Sequence, residues 1–361
     1  MSDSTDDTQS KKPVTMQDVA ELAGVSMATV SRVLNGASTV DPQLVERVRS
    51  AMTSLKYQPN RAARALAGSR SGQLGLVVTD MQNPFFIDLV RGVEAVVQQN
   101  GYLLIMCNTA EDARKEERYL EILAAEAVSG VVIVPTRERL LALDVLKTRR
   151  IPVVAVDRRI RDRSIDAVLI DNVAAAKEAV AHLIARGYQR IGLITGPLSA
   201  TTARERLLGY RQALQEASIP LDPLLEQHGA FNEETGLRLT HKLLDLDPPV
   251  QAILTANNRL TVGTLRALHA RHKTVPGDVA LVGFDEVHWA VPDLVSITTV
   301  RQPTYELGRT AASRLLQRLH QPDAPRQEIT LQHQLLIRES SSSRSPSGST
   351  QQLYPRASVE L

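Results

Sequence analysis

Short apolar segments recur along the chain from Gly75 onward, and longer amphipathic stretches separate them. Eight such segments follow one another as GLVVTD, LLIMCNT, VVIVPT, VVAVD, AVLIDN, IGLITG, AILTAN and ALVGFD. Stretches with apolar positions at helical spacing lie between most of them, at 84–100, 114–128, 173–186 and 258–272. Fully apolar strands that alternate with helices predict parallel sheets covered on both faces. Because about ten strand candidates exceed one small sheet, we expect two doubly wound lobes.

Composition narrows the class of protein. The chain has 361 residues, of which 43% are hydrophobic and 23% charged, as in an ordinary globular protein of two or three domains. No apolar run approaches the roughly 18 residues of a membrane span, and the polar N-terminus does not have the pattern of a signal peptide. The single cysteine, Cys107, is expected to be buried in a strand. These features predict a cytoplasmic protein.

The stretch 15–35, TMQDVAELAGVSMATVSRVLN, predicts two short helices with a tight turn between them. Thr15 and Asp18 have the spacing of a capping box, and Gly24 can adopt the left-handed backbone that ends a helix. Ser26 is a good N-cap for a second helix, 27–34. An all-α helix-turn-helix, which presents its second helix to a DNA major groove, fits this pattern.

Charge and length in the next segment favour the same interpretation. Between residues 11 and 70 there are nine basic residues and four acidic ones, an excess that is plausible for phosphate binding. A third helix is expected to end near Leu55, and a short Ala/Arg/Leu-rich helix follows at 61–67. Such a helix is too short to be stable alone, since about 12 to 15 residues are needed. We expect it to fold only when something holds it.

Polar residues gather where the predicted strands end, the edge at which open parallel sheets bind ligands. They are Thr79–Asp80, Asn108–Thr109, Asp157–Arg159, Asp171–Asn172, Asn257–Asn258 and Asp285. For Asp80 and Asp171, helix capping is at least as plausible as ligand binding. With Phe85 and Phe86 opening a helix after the first strand, the set predicts a small polar ligand on an aromatic platform.

The chain resembles the LacI/GalR transcriptional regulators from about residue 14 to residue 338. The motifs that carry the resemblance are DVAELAGVSMATVSRVLNG, LKYQPNRAARALA, NPFF, GFDE and TTVRQP. The resemblance implies a headpiece, a hinge helix and a two-lobed core like that of periplasmic sugar-binding proteins. It also implies a homodimer whose affinity for operator DNA depends on a small effector.

We expect the following division of the chain. A disordered tail covers 1–12, the headpiece 13–58, the hinge helix and linker 59–72, the core 73–339 and a disordered Ser-rich tail 340–361. Within the core, the first lobe is expected at 73–171 and 302–325, and the second at 172–301 and 326–339.

The resemblance assigns two sets of DNA contacts. In the headpiece, Met27, Ala28 and Arg32 are expected to read base edges, and Thr15, Ser26, Thr29, Ser31 and Asn35 to contact phosphates. On the hinge helix the expected contacts are Asn60, Arg61, Arg64 and Leu66, with Leu66 as the wedge that opens a central base step. Pure N-capping is an equally plausible role for Ser26.

The resemblance also assigns an effector site. Its expected residues are Phe85, Phe86, Asp157, Arg206, Phe231, Asn257 and Asp285. The family usually has Asn-Asp where this chain has Asn257–Asn258 followed by Arg259, and Asp157 is followed by Arg158 and Arg159. A lost carboxylate and added guanidinium groups favour an anionic effector, a sugar acid or sugar phosphate, unless the arginines face solvent.

The sequence fits other classes of protein less well. A doubly wound enzyme is disfavoured, because no dinucleotide-binding Gly motif, P-loop, nucleophile elbow or metal-ligand spacing is found in the sequence. We therefore expect no catalytic residue, metal or cofactor. A regulator controlled by a protein partner stays open, as does the choice between an inducer and a corepressor. A dimer is favoured over a tetramer, because the C-terminal tail has no leucine heptads.

Overall fold

The computed structural model describes residues 14–34, 40–57, 72–287 and 296–342 of the chain. These residues fall into two compact units, of which the first ends at residue 71 and the second begins at Gly72. None of the helices in the described ranges is long and apolar enough to span a membrane.

Three helices form the first unit: α1 (Met16–Ala23), α2 (Met27–Leu34) and α3 (Pro42–Ser54). The predicted capping box is present, since the Asp18 amide donates to Thr15 Oγ1 at 3.3 Å and the Thr15 amide donates to Asp18 Oδ2 at 2.7 Å. Gly24 ends α1 with a φ of +63°, and the Thr29 amide donates to Ser26 Oγ at the start of α2. These helices and caps confirm the helix-turn-helix prediction. The prediction was possible from sequence because each cap depends only on residues within a few positions of it.

A small, mainly aliphatic core holds the three helices together. Its buried members come from all three helices and the segment after α3: Val19, Ala20, Ala23, Val30, Val48, Ala51 and Tyr57. Val30 is the one residue of α2 that is fully buried. Most of the remaining surface of α2 is therefore exposed or half-exposed.

The second unit contains two six-stranded sheets, and each is flanked by helices. The strands are β1 (Gln73–Val78), β2 (Leu103–Asn108), β3 (Gly130–Ile133), β4 (Val153–Val156), β5 (Asp166–Ile170), β6 (Ile191–Thr195), β7 (Glu226–His228), β8 (Ala252–Thr255), β9 (Ala280–Phe284), β10 (Thr298–Arg301), β11 (Glu328–Leu331) and β12 (Gln334–Leu336). The helices are α4 (Pro84–Gln99), α5 (Ala113–Ala125), α6 (Leu143–Thr148), α7 (Asn172–Ala185), α8 (Thr201–Glu216), α9 (Glu233–Leu244), α10 (Asn258–Ala270) and α11 (Thr304–His320). All eight apolar segments that were predicted as strands are strands.

Each sheet defines one lobe. The first-lobe sheet has the order β11-β5-β4-β3-β1-β2 and is entirely parallel. The second-lobe sheet has the order β12-β10-β9-β8-β6-β7, and only β12 is antiparallel to its neighbour. The predicted fold class, two doubly wound sheets, is confirmed. In folds of this class, ligands bind beyond the carboxyl ends of the parallel strands.

The chain passes between the lobes at three places, after β5, after β10 and after β11. The expected assignment of 326–339 to the second lobe is therefore wrong for its first part. β11 pairs with β5 in the first sheet, with Glu328 opposite Ala167, and only β12 joins the second sheet. Short strands at sheet edges have weak sequence patterns, so their partners depend on tertiary packing.

Two further expectations need correction. β2 is an edge strand in which Leu103 is 53% and Met106 47% exposed, so Cys107 is only half-buried. The Ser-rich tail does not begin at residue 340, because Ser340 and Ser341 are buried. The Ser340 hydroxyl donates to Leu281 O, and the chain there is fixed by hydrogen bonds to the ends of β9 and β10. The remainder of the tail, 343–361, lies outside the described residues, as does the tail at 1–12.

Candidate functional site

The exposed face of α2 carries the residues that were predicted to read base edges. Met27 is 54% exposed, and Ala28 and Arg32 are exposed beside it. Ser26 is exposed, and its hydroxyl accepts the Thr29 amide at 3.2 Å. Ser26 therefore caps α2, which leaves its second predicted role, contact with a phosphate, open. The predicted contacts Asn35, Asn60, Arg61, Arg64 and Leu66 lie outside the described residues.

Arg47 is one of the nine basic residues between positions 11 and 70, but its guanidinium is engaged within the headpiece. Nη2 donates to Ala23 O at 2.6 Å and to Gly24 O at 3.3 Å. These are carbonyls at the end of α1 that lack partners within the helix. Arg47 thus stabilises the turn that orients α2, and the phosphate footprint loses one of its nine members.

All seven predicted effector residues line a single cleft between the two lobes of the core. The first lobe contributes Phe85, Phe86 and Asp157, and the second contributes Arg206, Phe231, Asn257 and Asp285. The space within the cleft is about 370 Å³ when the part open to solvent is counted.

Aromatic rings form opposite walls of the cleft. Phe85 and Phe86, at the start of α4, meet edge to face with their ring centroids 5.0 Å apart. Phe231 approaches from the second lobe, where a Cβ at Gly196 would lie 2.1 Å from its ring. Gly196, at the end of the IGLITG segment, therefore makes room for Phe231. Rings on two sides offer apolar surfaces to the faces of a small ring-shaped ligand.

Two carboxylates lie at the bottom of the cleft, each just after a strand. Asp157 and Asp285 are both buried and both have left-handed backbones, with φ values of +66° and +65°. Burial raises the pKa of each, and raises that of Asp285 to about 6 although Arg206 and a hydrogen bond from Gln302 oppose the shift. Strained backbone at buried polar residues is typical of binding sites.

Arg206 enters the cleft from α8 and is fixed by three contacts. Nε donates to Asn172 Oδ1 at 2.9 Å, Nη1 donates to Ala256 O, and the guanidinium lies 4.0 Å from the Phe284 ring centroid. Burial lowers the pKa of Arg206. Its Nη2 group makes no hydrogen bond within the described part of the chain, which leaves this donor for a ligand.

In the asparagine side chains at the cleft, the amide oxygen accepts hydrogen bonds from the protein, and the amide nitrogen can donate to another partner. Asn257 Oδ1 accepts the Leu260 amide at 2.8 Å, so Asn257 caps α10 and only its Nδ2 can serve a ligand. Asn83 Oδ1 accepts from the Phe85 amide and, across the lobes, from Asn258 Nδ2. Capping and ligand binding are therefore compatible roles for the same residue.

The arginines that favoured an anionic effector are all paired with carboxylates. Arg158 donates to both oxygens of Glu111, at 2.7 and 2.8 Å. Arg159 contacts Glu205 and Glu328, outside the cleft lining. Arg259 bonds Asp80 at 3.2 Å and lies 3.5 Å from Glu233. Because carboxylates already neutralise these guanidinium groups, the arginines no longer favour an anionic effector over a neutral one.

Six cleft residues were missed as effector contacts by sequence reasoning. They are Asp80, Asn83, Glu111, Arg158, Thr202 and Gln302. Gln302 could have been found, since it lies in the TTVRQP motif, and Asp80 was noted as a strand-end residue. Glu111 carries no local signal, because its partner is 47 positions away. Asp171, another strand-end residue, is exposed and caps α7 through the Ala174 amide.

Within the described residues, no group of three or more His, Cys, Asp or Glu side chains is arranged to hold a metal ion. Asp80 and Glu111 are each paired with a guanidinium group, and Asp285 accepts a hydrogen bond from the Gln302 amide. The polar and aromatic side chains that line the cleft can hold a polar ligand by hydrogen bonds and ring contacts.

Comparison with known proteins gives a consistent result for both units. Residues 15–60 match the family model of bacterial regulatory proteins of the lacI family. Residues 71–339 match the model of periplasmic binding proteins and the sugar-binding domain of the LacI family. The ribose operon repressor of Escherichia coli K12 is 35% identical over 327 residues, which cover 90% of this chain and 99% of that protein.

Solved structures agree in fold over most of the chain. The lac repressor dimer bound to operator and the anti-inducer ONPF has a TM-score of 0.78 at 29% identity, covering 92% of this chain and all of that one. A LacI family regulator from Enterococcus faecium with bound ribose has a TM-score of 0.69 at 28% identity, covering 76% of this chain and all of that one. The chain therefore belongs to the LacI family of bacterial DNA-binding transcriptional regulators.

Proposed function

We propose that this regulator represses genes of sugar metabolism, and that a neutral monosaccharide in the cleft controls its affinity for operator DNA. The observation that carries the proposal is the mixture of free hydrogen-bonding groups in a small cleft between aromatic rings. The named relatives support it, since they include a ribose operon repressor and a regulator with bound ribose.

The free groups of the cleft alternate between acceptors and donors. Asp157, Asp285 and Gln302 Oε1 can accept, and Gln302 Oε1 is buried without a hydrogen-bond partner. Asn257 Nδ2 and Arg206 Nη2 can donate. A sugar hydroxyl both donates and accepts, so a polyol can satisfy both kinds of group at once.

The charge of the cleft favours a neutral ligand. Four carboxylates and two guanidinium groups line it, and one of those guanidinium groups is bound to Glu111. A carboxylate or a fully ionised phosphate group accepts hydrogen bonds but does not donate them, and it would lie among carboxylates that it cannot satisfy. We therefore propose a neutral sugar in place of the sugar acid or phosphate that the sequence favoured, with D-ribose as the first probe.

DNA binding is proposed for the exposed face of α2. Arg32 can form a bidentate pair with guanine, and Met27 and Ala28 can offer apolar contact to a thymine methyl. Thr15, Ser26, Thr29 and Ser31 are proposed as phosphate contacts, together with Asn35 and the hinge residues that lie outside the described ranges. The domain boundaries of the headpiece and hinge are likewise proposals.

A homodimer is proposed as the DNA-binding form. The exposed apolar side chains of β2, Leu103 and Met106, lie at an unpaired sheet edge where a partner can cover them. A two-fold dimer would match a pseudo-palindromic operator. Sedimentation of the full chain would test this, and a monomer at micromolar concentration would contradict it.

Control of DNA binding is proposed to pass through the angle between the lobes. A ligand that touches Phe85 in one lobe and Phe231 in the other favours the closed arrangement. A change in that angle would change the separation of the two hinge segments in a dimer. By thermodynamic linkage, operator DNA must then change sugar affinity by the same factor. We propose regulation without catalysis, in the cytoplasm.

The test uses the full chain and a panel of neutral sugars, sugar acids and sugar phosphates. A ligand at 100 times its Kd should raise the free energy of unfolding by about 2.7 kcal/mol. The same ligand should change affinity for a DNA site selected from a random pool, measured by fluorescence anisotropy. Stabilisation by neutral sugars without any effect on DNA binding would contradict the control mechanism, and stabilisation only by anions would contradict the proposed effector.

A further inference from the structure

Glu111 occupies the mouth of the cleft because of an unusual backbone. Ala110 and Glu111 are consecutive non-glycine residues with left-handed φ values, +52° and +59°. The Glu111 amide donates to Thr79 O at 3.0 Å, which fixes the loop after β2 against the end of β1. Two such residues in succession cost free energy, and strain of this kind is kept where it serves a site. Here it directs a carboxylate into the cleft lining.

Glu111 binds the guanidinium of Arg158 with both oxygens. Nη2 donates to Oε1 at 2.7 Å and Nη1 to Oε2 at 2.8 Å, while the Arg158 side chain is only 4% exposed. Nη1 also lies 3.3 Å from Pro135 O. This fork-to-fork geometry is the strongest form of an arginine–carboxylate pair, and it takes up the two outer nitrogens of Arg158.

Arg158 would otherwise be an anion site. Its guanidinium lies 5.4 Å from the Phe231 ring centroid, so it faces the ring that forms the second-lobe wall. Its Nε is buried without a hydrogen-bond partner in the described structure and lies 3.7 Å from Asp157 Oδ2. Without Glu111, the two outer nitrogens of this buried guanidinium would lose their bidentate acceptor, and Asp157 would be its one remaining ion-pair partner in the described structure.

We propose that Glu111 determines the charge specificity of the cleft: by neutralising Arg158 it makes the site reject anionic sugar derivatives. This inference rests on the proposed function, since it concerns the same ligand site. A purely structural ion pair would also weaken folding when it is removed. Only the specificity role changes which ligand charge the cleft accepts.

The experiment compares Glu111→Gln, which removes the charge and keeps the shape, with Glu111→Asp, which keeps the charge. Glu216→Gln is the matched control, because Glu216 is 61% exposed and pairs with Lys177, and neither residue lines the cleft. The ligands are the neutral sugar D-ribose and two anions, D-ribonate and D-ribose 5-phosphate. The two anions place a negative charge at opposite ends of the same carbon chain. Calorimetry with the full chain at constant ionic strength gives each Kd, and circular dichroism establishes that each variant is folded.

We expect E111Q to bind at least one of the two anions at least tenfold more tightly than the unsubstituted chain does. E111D and E216Q should show no such gain. Equal anion affinity in E111Q and the unsubstituted chain would overturn the inference, as would the same gain in E216Q. If the unsubstituted chain binds no neutral sugar, the proposed effector is overturned. In that case the anion affinity of E111Q still decides the role of Glu111.

Discussion

The buried carboxylate of Asp285 offers a direct test of how the cleft is balanced between stability and binding. Asp285 is 8% exposed, and its pKa rises from 3.8 to about 6, chiefly because burial disfavours the charged form. Asp285→Asn replaces the carboxylate with a neutral group of nearly the same shape. Asparagine tolerates the left-handed φ of +65° at this position, so the backbone need not change.

The size and sign of the effect follow from the two pKa values. Between pH 3.8 and about 6 the folded chain holds a proton on Asp285 that the unfolded chain has lost. Stability therefore falls as pH rises through this window, and above it the ionised side chain costs about 3 kcal/mol at 1.36 kcal/mol per pKa unit. Asparagine does not ionise and escapes this cost.

We expect D285N to be more stable than the unsubstituted chain by about 3 kcal/mol at about pH 7.5, and to approach it in stability at about pH 3, below the unfolded pKa of 3.8. The gain corresponds to a Tm increase of roughly 5 °C in a protein of this size. The same substitution should weaken binding of a neutral sugar at least about tenfold, because an ionised acceptor is lost.

Thermal unfolding of the sugar-free full chain across this pH range measures the effect. Asp171→Asn is the matched control, since Asp171 is exposed and asparagine caps a helix equally well. The reasoning is refuted if D285N gains no stability at neutral pH, or if its gain is the same at both ends of the range.

Three further predictions concern the headpiece, the aromatic wall and the contact between lobes. Thr15→Ala should lower the stability of α1 by about 0.5–2 kcal/mol, which hydrogen exchange would detect as faster exchange of the amides at 16–23. Thr15→Ser should keep the slower exchange, and unchanged exchange in the alanine variant would refute the role of the cap. Gly196→Ala should displace Phe231 and weaken sugar affinity at least about tenfold by calorimetry, whereas unchanged affinity would remove that ring from the site. Arg259→Gln should break the inter-lobe pair with Asp80 and weaken sugar binding by up to about 1 kcal/mol at low salt but less at high salt; an effect independent of salt would contradict an ionic contact.

Much of the fold was predictable from sequence because the relevant physics is local. Strands buried on both faces must be continuously apolar, which identified eight strands without any knowledge of their partners. The capping box at Thr15 and the left-handed turn at Gly24 depend on residues within a few positions of each other. The family resemblance then identified the seven cleft residues, and the structure brings all of them together.

Tertiary structure decided what each charged or edge residue contacts. Arg158 and Glu111 are 47 positions apart, and no local pattern indicates that one neutralises the other. For the same reason, the arginines that suggested an anionic effector could not be evaluated before their partners were known. The pairing of β11 with the first sheet and the burial of Ser340 also depend on distant strands.

Sequence by itself determined the elements and the residues of the site, because periodicity and caps are local. Only the folded chain determined the charge that the site presents to a ligand, because electrostatic energy depends on distances in space.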